Sequence, residues 1–413
     1  MTTTRDELAA AVSSPEFERD PFPFYQRILD VPPWRAPSGA YVISKYTTLR
    51  EVLGDHETFG QHLAPWPNFH RLNPPEHSRM RKLVSKAFTP KSIAALQSDI
   101  DAISAGLLSR VGSSFDMITD YAQHLPARIV AKMIGVPASD AELWHGWLHR
   151  MGRFGFQNPF TAKDEDGQQR EIIADAQAAN AEQAEYFSEI IEARQRVRGD
   201  DIVSRLIDAR EADDRLTDEE VRYILVLLLQ GGLHTTVHMI GNTIRTLLEH
   251  PDQQAEIRGD AALVPKAIDE ALRLRGILQT EVRITRKAVV VEAVEIAAGE
   301  KVITLNAAAN RDPRVFPDPD RYDIHRSNAH THLAFGYGVH HCIGSPLARA
   351  EIAVAIRDLF GLPGLRLAGE VKRDQYFRLR GLSSVPVAWG DDPCRSAQRR
   401  RDLVAGQSDQ EGR

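Results

Sequence analysis

Two short stretches hold residue types that can do chemistry. In "HLAFGYGVHHCIGSPLARAE", residues 332–351, a glycine-rich loop presents one cysteine, Cys342, just before a helical "LARAE" run. A thiol so placed has four readings. It is a nucleophile with a base beside it, His340 or His341; a zinc ligand, although "HHC" alone cannot set three ligands around a tetrahedron; a buried cysteine in a turn; or the axial thiolate of a haem iron. The last also accounts for the neighbours. Glycines let a large flat cofactor approach the backbone, and a helix N-terminus stabilises the thiolate. The second stretch, "LLLQGGLHTT" at 227–236, interrupts an apolar helical run with Gln230, Gly231, Gly232, His234, Thr235 and Thr236. Such residues pack poorly in a buried helix, and the histidine adds a group that titrates near neutral pH.

The chain that must position these groups has 413 residues, 42% hydrophobic and 26% charged. Those proportions are those of a globular protein with a sizeable core. A net charge of -6 gives no bulk attraction to nucleic acid. The two cysteines, Cys342 and Cys394, cannot make a disulfide framework. The N-terminal residues lack the apolar core of a signal peptide, and no run of about 18 uninterrupted apolar residues suggests a membrane span. The expectation is a cytoplasmic protein with no membrane and no nucleic-acid partner.

The pattern is mostly helical, with short strands. Residues 41–53 pass from alternation into a helix, and 75–88 open on proline and Glu76 before turning basic. Helical patterns cover 97–150 and 168–197, separated by the loop "GFQNPFTAKDEDG". The longest runs from 217 to 249, opened by a Thr217/Glu220 capping box and closed before Pro251. If continuous it spans about 48 Å, enough to cross a domain. After a helix over 264–275, strand-like runs "EVRITRKAVVVEAVEI" and "EKVITLNAAA" follow, then a Pro/Asp-rich meander at 310–323. Residues 1–390 read as one domain and 391–413 as a frayed polar tail.

The cysteine stretch resembles the haem-binding loop of the cytochrome P450 family, F-G-x-G-x-H-x-C-x-G-x-x-L-A-R-x-E. Phe335, Gly336, Gly338, His340, Cys342, Gly344, Leu347, Ala348, Arg349 and Glu351 fill it without a gap. The resemblance covers about residues 15–390. It implies a mainly α fold with small β-sheets, a long central helix over the haem, and heme b held by the Cys342 thiolate, with Phe335, Gly336 and Gly232 against the cofactor. Glu270 and Arg273 match the family's E-x-x-R pair, with Arg321 as their partner in the meander; this triad is structural. "NPPEHSRMR" resembles the family's D-P-P-x-H-T-R-x-R helix, which makes His77 and Arg81 partners of the haem propionates, joined by Arg283 and His340, with Arg286 a lesser candidate. Asn73 stands where the family has aspartate and removes a helix-cap charge.

The resemblance also assigns "GGLHTT". The family reads A/G-G-x-D/E-T-T there, so Thr235 is the threonine that serves dioxygen activation and His234 replaces the acid that relays protons. The expected activity is insertion of one oxygen atom of O2 into a small organic molecule of secondary metabolism, by hydroxylation, epoxidation or demethylation. A peroxide-driven oxidase or peroxygenase, or a coupling enzyme, is the first alternative, and a non-catalytic haem sensor the second. Gln230, Gly231, Trp66, Phe69, Gln279, Thr280 and Glu281 are expected to line the substrate pocket. No flavin or iron–sulfur signature is present, so electrons are expected from a ferredoxin and ferredoxin reductase, docking on a basic patch of Arg79, Lys82, Lys86 and Arg349.

Overall fold

A computed structural model describes residues 5–61, 69, 72–161, 167–211 and 214–390. Trp66 and the tail from 391 onward lie outside the described residues. Helices dominate. Those that frame the site are α1 (Glu76–Ala87), α2 (His124–Ile134), α3 (Ala141–Gly155), α4 (Gly167–Arg196), α5 (Asp218–Gly232), α6 (His234–Leu248), α7 (Val264–Arg275) and α8 (Ser345–Gly361). The helical pattern over 97–150 is divided by turns into separate helices, Gln97–Leu108, α2 and α3 among them. One cause is Gly135, which closes α2 in the left-handed conformation at φ 80°.

Strands β1 (Trp34–Arg35), β2 (Tyr41–Ile43), β3 (Phe59–Gln61), β4 (Glu281–Thr285) and β5 (Lys301–Thr304) form one sheet in the order β1-β2-β5-β4-β3. Only the β2–β5 pair is parallel. Register sets Arg283 between Val302 on one side and Gln61 on the other. The expected strand "EKVITLNAAA" stops at Thr304, and Asn306–Ala309 is a helical turn.

The predicted capping box is present: Thr217 N–H donates to Glu220 Oε2 at 2.8 Å and Glu220 N–H to Thr217 Oγ1 at 3.2 Å. The long helix is nonetheless not continuous. It breaks at Leu233, whose ψ of -79° departs from the helical value near -42°. Thr235 adds to the break by donating its hydroxyl to the Gly231 carbonyl. Two hydrophobic clusters meet at this point. Leu225, Leu229 and Leu233 pack with Val84, Val130, Trp144 and Phe187. Val237, Ile240 and Ile244 pack with Ile268, Leu272, Phe335 and Ile352 of the second cluster. The α5–α6 pair is apolar enough to cross a membrane by length and composition, but two thirds of its most apolar window is buried inside the protein. It is a core element.

Candidate active site

The cysteine loop is shaped by two left-handed glycines, Gly336 at φ 71° and Gly338 at φ 73°. At Gly338 a Cβ would stand 2.6 Å from the Leu53 carbonyl oxygen, so only glycine lets the loop lie against that backbone. The Cys342 N–H donates to the Phe335 carbonyl at 2.9 Å and closes the loop. Phe335 is buried, with the Arg349 guanidinium 5.2 Å over its ring.

Cys342 is solvent-accessible, yet burial among surrounding protein raises its thiol pKa. Backbone N–H groups of Gly344 and Ser345 and the charge of Arg81 oppose the burial and favour the thiolate. Such donors at the start of α8 suit a thiolate that binds a cationic metal centre. The residues at the loop therefore fit a haem.

Three of the four proposed propionate partners converge beside this loop. The His77 and His340 rings lie 4.2 Å apart, and Arg81, one turn along α1 from His77, donates to the His341 carbonyl at 2.6 Å. Arg283 is placed differently. It is buried and donates to Glu281 at 2.6 Å and to Gln61 at 3.4 Å. To serve a propionate it must exchange Glu281 for it. Asn73 is not a helix cap. Its side-chain oxygen accepts from the Gln61 N–H at 3.0 Å and ties β3 to the start of α1. The Arg286 side chain lies over Gly60.

Several residues expected in the pocket point elsewhere. Gln279 accepts from the Tyr25 hydroxyl at 2.6 Å and donates to the Gly276 carbonyl at 2.8 Å, both inside the core. Thr280 is fully buried. Glu281 shares a strand face with Arg283 because side chains two apart point the same way. It accepts from Asn306 at 3.0 Å, and despite the cost of burial Arg283 and Asn306 hold its carboxyl below the usual range. Gln230 donates to Gln183 of α4 at 3.1 Å, so its amide needs no substrate partner. Phe69 packs on His77 at 5.0 Å between ring centres. Of the glycine pair, Gly231 is exposed, but Gly232 faces α2: a Cβ there would come 3.1 Å from Val130 Cγ2. The close approach on that side is to a helix.

Arg321 does not complete the triad with Glu270 and Arg273. Its side chain is 66% exposed and pairs with Asp323. Arg326 takes the place, with Nε 3.0 Å from Glu270 Oε1. The signal lay in alternation: Tyr322 and Ile324 are buried, and Arg326 follows on the same side. The expected basic patch is also reduced. Arg79 pairs with Glu220 and Arg349 with Asp269, while Lys82 is exposed and the Lys86 side chain lies outside the described residues.

His234 sits just past the helix break, with Nδ1 buried and unbonded. Burial first, then the neighbouring His238, brings its pKa down to about 4. The ring is neutral at physiological pH.

The family model described as "Cytochrome P450" matches residues 162–360. Cyclomarin C epoxidase CymV of Salinispora arenicola is 36% identical over 79% of this chain and 77% of its own length. Cytochrome P450 monooxygenase PikC of Streptomyces venezuelae is 33% identical over 91% of this chain and 92% of its own. Among solved structures, P450BioI in complex with a fatty-acid-ligated acyl carrier protein superposes with a TM-score of 0.83 at 31% identity, covering 91% of this chain and all of that one. Together with a cysteine loop that fits a haem, these likenesses place the chain in the cytochrome P450 family, as a bacterial-type haem-thiolate monooxygenase.

Proposed function

We propose that the protein, one unit over residues 1–390, works in the cytoplasm with a ferredoxin and its reductase and oxygenates a small organic molecule of secondary metabolism. The reaction is a hydroxylation, epoxidation or demethylation, and the epoxidase activity in the name of one relative supports the second. When bound through a cysteine thiolate, haem supplies the dioxygen chemistry. Cys342 offers that thiolate, held by the N–H groups of Gly344 and Ser345. His77, Arg81 and His340 would hold the two haem carboxylates, and Arg283 would add to them if freed from Glu281.

The observation that carries this reading is the break at Leu233. It leaves Gly231 exposed and Thr235 partly exposed in a helix whose flanking turns are buried. The Thr235 hydroxyl, now donated to Gly231, can turn to donate into the opening. His234 passes protons toward it. A neutral imbalance-free ring suits this task, since one nitrogen can accept a proton while the other gives one up.

Purified holoenzyme with NADH, ferredoxin and reductase is expected to consume oxygen and to give the red-shifted carbon monoxide spectrum. Turnover of equal rate with hydrogen peroxide alone would replace this reading with the peroxide-driven one. His234→Phe is expected to release several-fold more hydrogen peroxide per NADH, and an unchanged ratio removes His234 from the route. In the wild type this ratio is expected to stay flat from about pH 6 to 8, because a group neutral above about pH 4 does not itself titrate in that window.

A further inference from the structure

His238 lies one helical turn beyond His234 and is 4% exposed. Its Nε2 stands 3.4 Å from Oδ2 of Asp374, whose side chain is 21% exposed. The two imidazole rings are 5.4 Å apart, centre to centre, at 44°. The segment 374–381 is built around this arrangement, for a Cβ at Gly381 would overlap the His238 ring. Tyr376 of the same segment lies 6.3 Å from the His234 ring and bonds through its hydroxyl to His149 Nδ1 of α3 at 3.1 Å. His145 and His149 of α3, His238 of α6, and Asp374 are the titratable groups whose charges bear on His234. Asp374 is the only acid among them.

Two imidazoles and a carboxylate are a costly way to join a helix to a loop. Apolar side chains of similar volume would pack there without desolvating a charge. What the polar set offers is exchangeable protons spaced between a partly exposed acid and the helix break, with both His238 ring nitrogens buried and not committed to any other hydrogen bond. We propose that Asp374 and His238 form the outer half of the proton route that ends at His234, with Asp374 positioning His238 and His238 handing on the proton. This rests on His234 acting as the relay. Each proton leaving His234 for the opening is replaced by one from His238. His238 regains it from solvent along Asp374, so no net charge accumulates. Burial works against the Asp374 carboxylate, but the neighbouring His238 and the Gln375 N–H, which donates to it at 2.7 Å, outweigh this and keep it below the usual range, ionised as the role requires.

The test uses holoenzyme labelled with nitrogen-15 in its histidine rings, reduced and held with carbon monoxide, together with the NADH, ferredoxin and reductase assay. Asp374→Asn is expected to change the tautomer balance of His238 and to shift the His234 ring signals. It should also raise hydrogen peroxide released per NADH several-fold and steepen the dependence of that ratio on pH. Asp374→Glu should restore all of these, which a purely structural role of the loop would not predict. His238→Phe should match Asp374→Asn. If Asp374→Asn and His238→Phe leave the ratio and the His234 signals unchanged while His234→Phe raises peroxide release, the outer route is wrong and the His234 reading stands. If His234→Phe also leaves the ratio unchanged, the relay itself fails. Loss that Asp374→Glu does not restore overturns the positioning role of Asp374.

Discussion

Arg326→Ala is expected to cost about 3 kcal/mol of stability, the low end for breaking a buried ion pair. Arg321→Ala should move stability by less than about 0.5 kcal/mol, as for an exposed side chain. Glu270 and Arg273 are fully buried. Glu270 accepts from Arg273 at 2.7 and 2.8 Å, from Arg326 at 3.0 Å and from the Asp323 N–H at 3.1 Å. Arg326 also donates to the carbonyls of Pro317, Asp318 and Arg321, at 2.7, 3.1 and 3.2 Å. Its loss removes one donor from each of those carbonyls and from one carboxylate oxygen, although Arg273 still donates to that oxygen and to the Arg321 carbonyl. Arg273 still neutralises Glu270, which is why the cost stays at the low end. Denaturant midpoints read with the haem absorbance would check this, and equal midpoints for the two variants would refute it.

Gly338→Ala is expected to cost at least about 2 kcal/mol and to reduce the fraction of protein giving the red-shifted carbon monoxide band. Two penalties combine at this position. The backbone is at φ 73°, and the new Cβ would meet the Leu53 carbonyl oxygen at 2.6 Å and Gly54 Cα at 3.2 Å. Neither neighbour is a flexible side-chain end. Gly299→Ala is the control, for Gly299 has φ 85° but nothing within 4 Å of its Cβ position. It should lose only the left-handed penalty of about 1 kcal/mol. If both variants behave alike, the contact with Leu53 does not hold the loop.

Much of the site was legible because its geometry is local. His77 and Arg81 share a helix face by spacing alone. The glycines around Cys342 imply a loop that turns where other residues cannot, and Gly336 and Gly338 do take positive φ. Thr217 and Glu220 form their cap three residues apart. The polar interruption at 230–236 was visible too, but not its form. A sequence pattern marks weak helix; it does not say that Leu233 takes the distorted ψ, or that Gly232 turns to Val130 while Gly231 stays open.

What the sequence determined by itself was the cysteine loop, the family to which that loop belongs, and the spacing of the residues along each helix. Tertiary structure decided the partners. Gln279 meets Tyr25, 254 residues away. Gln230 meets Gln183 on the neighbouring helix. Glu270 chooses Arg326 over Arg321, Arg283 is held by Glu281, and His238 finds Asp374. The physical reason is the same in each case. Periodicity fixes which face a side chain points from, but a buried polar atom bonds to whatever donor or acceptor packing brings within about 3 Å. That depends on how helices and loops far apart in the chain come to lie against one another.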